Sequence, residues 1–230
     1  MKKRRWMEVF MAILLLVGIY LLSDRGAREV SLQKESQKLV VLDAGHGGSD
    51  PGKIGVNQEK EKDLNLVIAQ KVEQQLKASG VAVVMTREED KGLYDEGVQN
   101  QKVQDLQRRC ELIHEAAPDC AVSIHQNSYP EEYVKGAQVF YYTDSQEGKR
   151  LAESIQAALI AEVDPENHRQ VKGNTSYYLL KKTDVPIAIV ECGFLSNWEE
   201  AELLAEESYQ DKVAHAVCLG ILQYLGLEKA

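Results

Sequence analysis

Four residues able to bind a metal or move a proton stand beside apolar segments of this sequence. His46 follows the apolar run LVVL within the glycine-rich loop DAGHGGSDPG, and His125 follows CAVSI. Glu191 follows PIAIV, and Glu61 opens a helical pattern after the first loop. Two imidazoles and one carboxylate can bind a catalytic zinc ion and leave its fourth coordination position open for water or substrate. A further carboxylate can act as a general base. These four side chains are therefore candidates for a hydrolytic metal site.

The four candidates can meet only if the apolar runs before them are strands of one sheet. In open α/β sheets, sites form beyond the carboxyl ends of the strands, where such residues would lie. His46 and His125 are far apart in the sequence, however, and no H-E-x-x-H helix places them on one face. The spacing alone therefore leaves open that both histidines are solvated loop residues.

The periodicity predicts alternating strands and helices. Apolar runs typical of buried strands occur at 39–42, 81–86, 120–124, 137–142 and 186–190. Helical spacing of apolar residues occurs at 61–78, 102–117, 146–161 and 209–225. Because strand, helix, strand units form right-handed crossovers, we predict an α/β fold. It should be a three-layer sandwich with a mostly parallel, twisted sheet flanked by helices.

The amino terminus carries basic residues at positions 2–5, followed by the apolar run VFMAILLLVGIYLL at 9–22. This arrangement is typical of a signal peptide or a signal anchor. Fourteen residues of helix span about 21 Å, short of a hydrocarbon core of about 30 Å, so length leaves cleavage open. No small-x-small cleavage motif follows, which favours retention. We predict an anchor or signal segment at 1–23, a polar linker at 24–38 and a catalytic domain at 39–228, outside the cytoplasm.

Charge and cysteine content exclude some classes of function. The formal net charge is −9 despite the basic amino terminus, so the domain is a poor binder of nucleic acid. The four cysteines show no C-x-x-C spacing, which favours buried free thiols over a disulfide framework. A bridge between Cys110 and Cys120 is left open.

Four motifs occur in the order DAGHGGSDPGKIG, EKDLNLVIA, SIHQNS and VECGFLSN. Together they resemble the zinc-dependent N-acetylmuramoyl-L-alanine amidases of the amidase-3 type, over a region from about Lys38 to the last helix. The short layout, with an apolar amino terminus and no wall-binding repeats, is similar to the germination-specific CwlD-like group of spore formers. The resemblance implies hydrolysis of the amide between N-acetylmuramic acid and L-alanine in peptidoglycan.

The resemblance also assigns roles to the candidate residues. It implies one zinc ion held by His46, Glu61 and His125, with Glu191 as the catalytic carboxylate. The match to EKDLNL selects Glu61 rather than Glu59, and Glu61 is also the residue that begins the amphipathic pattern.

Two further residues are candidates for contact with substrate. Arg87 matches a position where the family tends to carry arginine, but it could equally form a structural ion pair. Asn127 could touch substrate or only brace its loop.

The germination-specific resemblance further implies a role in spore cortex maturation, in which stem peptides are removed so that muramic-δ-lactam can form. It implies a lipoprotein activator for some members and membrane attachment through the amino-terminal segment. Two alternatives stay open. A zinc exopeptidase that trims wall peptides would need a group to hold a free peptide terminus, and none stands out. A catalytically inactive peptidoglycan-binding protein is disfavoured because all four reactive positions are occupied.

Overall fold

The computed structural model describes residues 37–228, together with Met11, Leu15, Leu16 and Tyr20, which are helical and exposed. The remainder of the predicted anchor at 1–23, and the predicted linker up to residue 36, lie outside the described residues. In the described part of the chain, no helix is long and apolar enough to cross a bilayer. A compact unit begins at Lys38.

Strands and helices alternate through this unit, and we number each kind in chain order. The strands are β1 (Leu39–Ala44), β2 (Ala82–Met85), β3 (Cys120–Asn127), β4 (Gln138–Tyr142), β5 (Lys172–Asn174) and β6 (Ile187–Phe194). The helices are α1 (Glu61–Ala78), α2 (Gln101–Ala116), α3 (Gln146–Glu162), α4 (Tyr178–Lys182), α5 (Trp198–Ala205) and α6 (Glu207–Leu225).

The six strands form one sheet in the order β2-β1-β3-β6-β4-β5. β1 pairs in parallel with β2 and β3, and β3 pairs in parallel with β6. β4 runs antiparallel to β6, and β5 runs parallel to β4. The predicted α/β sandwich is confirmed, with a mixed sheet. Because β1, β3 and β6 are parallel neighbours at its centre, their carboxyl ends share one edge.

Helices cover both faces of the sheet. Alternate residues of β1 show the division, since Val40 and Leu42 join one core cluster and Val41 joins the other. Residues of α1, α3 and α6 belong to the first cluster, whereas residues of α2 and α4 belong to the second. Burial on both faces explains why the central strands read as continuous apolar runs in the sequence.

The cysteines are buried free thiols. Cys110 and Cys120 lie in different core clusters, on opposite faces of the sheet. The bridge that the sequence left open is therefore absent from the structure.

The structure corrects the ends of two strands. The apolar runs predict that β3 ends at residue 124 and β6 at residue 190, with His125 and Glu191 at the strand ends. Instead, His125 and Glu191 are still within the strands and are paired with each other in the ladder. A polar side chain does not end a strand, because its backbone N–H and C=O groups can continue the pairing.

The sequence patterns predict no helix or strand between the helix at 146–161 and the strand at 186–190. This region contains the edge strand β5 and the short helix α4. The sequence KGN of β5 has no apolar alternation from which a strand could be predicted.

Gly220 lies where α6 crosses α3. A Cβ atom at this position would lie 2.5 Å from Ile155 Cα and 2.8 Å from Ile155 N. We expect Gly220→Ala to lower the free energy of unfolding by about 1–3 kcal/mol, because the helices must separate. Urea unfolding measures this, with Gln223→Ala, on an exposed position of α6, as the control. Unchanged stability of Gly220→Ala would contradict the close crossing.

Candidate active site

The loop after β1 presents His46 in a left-handed conformation, with a φ of 62°. Gly47 and Asp50 exchange backbone hydrogen bonds of 3.0 and 3.2 Å, which close the turn. The loop then passes against the helix that follows, because a Cβ atom at Gly52 would lie 2.5 Å from Glu61 Oε2 and 2.8 Å from His46 Cδ2. Gly52 also has a φ of 67°, so only glycine fits here without strain.

Two buried arginines hold this loop from the protein interior. Arg109 donates to the carbonyl oxygen of His46 at 2.7 Å and to Asp43 Oδ1 at 2.5 Å. Arg87 donates to the carbonyl oxygens of Ala44 and Gly45 at 2.8 and 3.1 Å. The backbone that carries His46 is therefore fixed by charge-assisted hydrogen bonds.

The Asp43 carboxylate, which pairs with Arg109, also accepts hydrogen bonds from Ser123 and Thr86 at 2.5 and 2.7 Å. Burial acts to raise the pKa of Asp43, but the charge of Arg109 and these hydrogen bonds together lower it to about 2. Its unfolded pKa is about 3.9, so the carboxylate adds about 2 kcal/mol of stability above that pH. This contribution should be lost as the pH falls from about 4 towards 2.

We therefore expect Asp43→Asn to lose less stability than the parent protein between pH 4 and pH 2. At pH 7 the variant should be about 3 kcal/mol less stable, because a buried Arg109 loses one of its partners. Urea unfolding at each pH measures both effects. Asp211→Asn, which removes an exposed partner of Lys71, is the control. Parallel pH profiles for Asp43→Asn and the parent would contradict the assignment.

His46, Glu61 and His125 come together at the shared edge of β1 and β3. One potential ligand atom from each lies within 4.8 Å of the others. Glu61 Oε1 is 2.9 Å from His125 Nδ1 and 3.2 Å from His46 Nε2. The two imidazole rings meet edge to face, with centroids 5.0 Å apart. The structure thus places the three predicted ligands around one point.

The carboxylate of Glu61 is the most enclosed member of the group, with a side chain 3% exposed. Burial acts to raise its pKa, but hydrogen bonds and charges of His125 and His46 outweigh burial and hold the pKa well below its usual range. Its second oxygen, Oε2, accepts the N–H of Lys53 at 2.8 Å. An ionised carboxylate with two imidazoles fits the ligand set of a catalytic zinc ion.

Glu191 lies on β6 beside this group and is 8% exposed. Its Oε2 is buried and has no hydrogen-bond partner among the described residues. Burial raises the pKa of Glu191 to about 7; the charges of His125 and His46 oppose this rise, and that of Glu61 adds to it. A buried carboxyl group that titrates near neutral pH is suited to both accepting and donating a proton.

A cavity of about 550 Å³ is lined by His46, Glu61, His125 and Glu191. Asn127 also lines it. Several other lining residues were not predicted from the sequence: Asp50, Lys53, Lys102, Tyr177 and Tyr178. Asp50 could have been found from its place four residues after His46 in a tight turn. The two tyrosines could not, because no pattern predicted the α4 region.

Arg87 does not line this cavity. It is 2% exposed, and besides its two bonds to the loop it donates to the carbonyl oxygen of Lys62 at 2.7 Å. The structure therefore corrects the expectation that Arg87 contacts substrate, because its donors are used by backbone carbonyls beneath the loop.

Comparison with known proteins identifies the family of the chain. Residues 40–223 match the family model Amidase_3, N-acetylmuramoyl-L-alanine amidase. The germination-specific N-acetylmuramoyl-L-alanine amidase of Bacillus subtilis is 36% identical over 228 residues, which cover 97% of this chain and 95% of the relative.

Solved structures give the same result. The CwlD amidase from Clostridioides difficile, in complex with the GerS lipoprotein, has a TM-score of 0.81 and 41% identity, covering 84% of this chain and 100% of that one. The catalytic domain of CwlV from Bacillus (Paenibacillus) polymyxa var. colistinus has a TM-score of 0.72 and 29% identity, covering 84% and 100% of the two chains. The chain therefore belongs to the Amidase_3 family and is a peptidoglycan hydrolase of the N-acetylmuramoyl-L-alanine amidase class.

Proposed function

We propose that this amidase is zinc-dependent and cleaves the amide between the lactyl group of N-acetylmuramic acid and L-alanine. The observation that carries the proposal is one cavity in which Glu191 adjoins the group formed by His46, Glu61 and His125, with a buried oxygen that has no hydrogen-bond partner within residues 37–228. A proton-transferring carboxylate beside a three-ligand group is the arrangement expected for metal-assisted hydrolysis.

His46, Glu61 and His125 would hold the zinc ion. When bound, zinc supplies a Lewis acid that lowers the pKa of water and polarises the substrate carbonyl. The three ligands come from β3, from the loop after β1 and from the first residue of α1, so the sheet edge and the helix together set their spacing.

Glu191 would serve first as base and then as acid. As water attacks the lactyl carbonyl carbon, Glu191 accepts a proton from it; the C–N bond then breaks and Glu191 returns the proton to the leaving nitrogen of L-alanine. Burial raises the pKa of Glu191, which favours return of the proton to the leaving nitrogen. Asn127, in the cavity wall, would contact the substrate.

A defined muropeptide tests the reaction and separates the alternatives. Mass spectrometry of the products should show free stem peptides beginning with L-alanine. Stem peptides shortened at one end would instead support an exopeptidase, and unchanged material would support a binding protein without activity. A chelator should abolish product formation, and added zinc should restore it.

We further propose that the enzyme acts in spore cortex maturation and that its products allow muramic-δ-lactam to form. The relative named germination-specific in Bacillus subtilis supports this role. The expected substrate lies outside the cytoplasm, on the forespore side or in the intermembrane space. Spores of a strain lacking the gene should contain cortex without muramic-δ-lactam, and cortex of normal composition would contradict the role.

The domain layout and partners are also proposals. Residues 1–23 would anchor the chain in the cytoplasmic membrane or act as a signal segment. Residues 24–38 would form a linker, and residues 39–228 would form the catalytic domain. The complex of the CwlD amidase from Clostridioides difficile with the GerS lipoprotein supports a lipoprotein activator here. Zinc content and turnover, measured with and without a candidate lipoprotein, test this; equal values would contradict activation.

A further inference from the structure

Asp50 lies against the ring of His46 on the side away from Glu61. Its Oδ2 atom is 2.9 Å from His46 Nδ1, whereas the other ring nitrogen, Nε2, is 3.2 Å from Glu61 Oε1. The second oxygen of Asp50 accepts the N–H of Gly52 at 3.0 Å. The carboxylate is thus fixed in place on the outer nitrogen of the imidazole.

This contact decides which nitrogen of His46 carries the proton. Both ring nitrogens face a carboxylate, which can only accept a hydrogen bond, but Asp50 is the nearer of the two, at 2.9 Å against 3.2 Å for Glu61. Glu61 Oε1 is also 2.9 Å from His125 Nδ1 and accepts the N–H of Gln126 at 3.2 Å, so the proton of a neutral His46 ring belongs to Nδ1. In a neutral ring the lone pair then lies on Nε2, which faces Glu61. A neutral imidazole binds a metal through the nitrogen with the lone pair, and a carboxylate on the other nitrogen orients the ring.

His125 is held differently. Its Nδ1 atom is the one near Glu61, at 2.9 Å. Its Nε2 edge packs against the loop backbone, because a Cβ atom at Gly45 would lie 2.3 Å from Nε2. The two imidazoles therefore turn opposite nitrogens towards Glu61. Within residues 37–228, a second carboxylate is hydrogen-bonded to the ring of His46 but not to that of His125.

We infer that Asp50 is a positioning residue that fixes His46 as the Nδ1–H tautomer and directs Nε2 towards the metal. The inference rests on the zinc dependence proposed above. The fixed loop backbone alone does not secure this orientation, because the ring can still rotate about its side-chain torsions.

Nitrogen NMR of the full-length, metal-free protein tests the tautomer directly. The imidazoles are labelled with ¹⁵N, and His46→Asn identifies the His46 signals. At a pH where the rings are neutral, His46 should show a protonated Nδ1 and an unprotonated Nε2. Asp50→Asn should keep this pattern, because its amide oxygen can accept the same hydrogen bond. Asp50→Ala should lose it. A protonated Nε2 in the parent, or an unchanged pattern in Asp50→Ala, would overturn the inference.

Zinc affinity, measured by chelator competition, supplies the second readout. We expect Asp50→Ala to bind zinc about 10–100-fold more weakly, the range typical for loss of such a partner, and Asp50→Asn to lie between it and the parent. Asp90→Ala is the matched control. Asp90 also fastens this loop, accepting from Gly48 N and Lys62 Nζ at 2.8 and 2.6 Å, but it does not touch an imidazole.

The outcomes test the role of Asp50 separately from the proposed zinc dependence. Equal zinc loss in Asp90→Ala and Asp50→Ala would show that loop order, rather than ring orientation, matters, and would overturn the role of Asp50. Unchanged zinc affinity in Asp50→Ala would also overturn it. A parent protein with the Nδ1–H tautomer but without zinc binding would instead contradict the proposed zinc dependence.

Discussion

Glu191→Gln is expected to reduce kcat by about 10²–10⁴-fold, the contribution typical of a positioned acid–base group. The amide keeps the size of the side chain but can neither accept the proton of the attacking water nor return it. Zinc should stay bound, because Glu191 is not one of the three proposed ligands, whose ligand atoms lie within 4.8 Å of one another. Turnover of a muropeptide and zinc content are measured on the same preparation.

Glu200→Gln provides a matched control for this variant. Glu200 is also a buried carboxylate, 6% exposed, but it accepts backbone N–H groups of Phe194 and Gly136 at 2.8 and 3.0 Å. It does not line the cavity. We expect this variant to be less stable by about 1–3 kcal/mol while its folded form retains turnover. Full activity in Glu191→Gln would exclude Glu191 as the acid–base group.

Glu61→Gln should lower zinc affinity by more than about 100-fold, beyond the range expected for loss of an outer partner. The charge of the carboxylate is lost at a point 2.9 and 3.2 Å from the two imidazoles, and a neutral amide oxygen is a poorer ligand. Activity at limiting zinc should fall with the affinity and should recover in part at high zinc. Chelator competition and turnover at several zinc concentrations measure this.

Glu59→Gln is the control for Glu61→Gln, since it removes the same charge two residues earlier. Glu59 is exposed in the loop before α1, so zinc affinity and turnover should stay at the parent level. Equal losses in the two variants would mean that general negative charge near the cavity, rather than ligation by Glu61, governs zinc binding.

Much of the scaffold of the site could be predicted from the sequence. The apolar spacing of α1 predicted a helix from residue 61 to residue 78, and the structure has the same bounds. The runs before His46 and His125 predicted parallel strands, which brought both histidines to one sheet edge. These elements were predictable because each buries a face whose pattern is local in the sequence.

Other features depend on contacts between distant segments and left no local pattern. Arg87 is a charged residue in a charged segment of the sequence, yet it is buried, because it donates to carbonyl oxygens at the end of β1, in the His46 loop and in α1. The antiparallel direction of β4 follows from where the chain crosses the sheet, which apolar alternation does not encode. Asp50 comes only four positions after His46 in the sequence, but its role depends on how the turn folds.

The position of β6 has a consequence for the order in which the chain matures. Among the six strands of the described residues it comes last along the chain, yet it pairs with β3 on one side and β4 on the other. The edge pair of β4 and β5 therefore cannot join the rest of the sheet until β6 inserts between them and β3, a long-range step of the kind that slows folding. Glu191, the proposed acid–base group, belongs to that same strand, so a ribosome-bound or truncated chain that ends before β6 should not hydrolyse substrate.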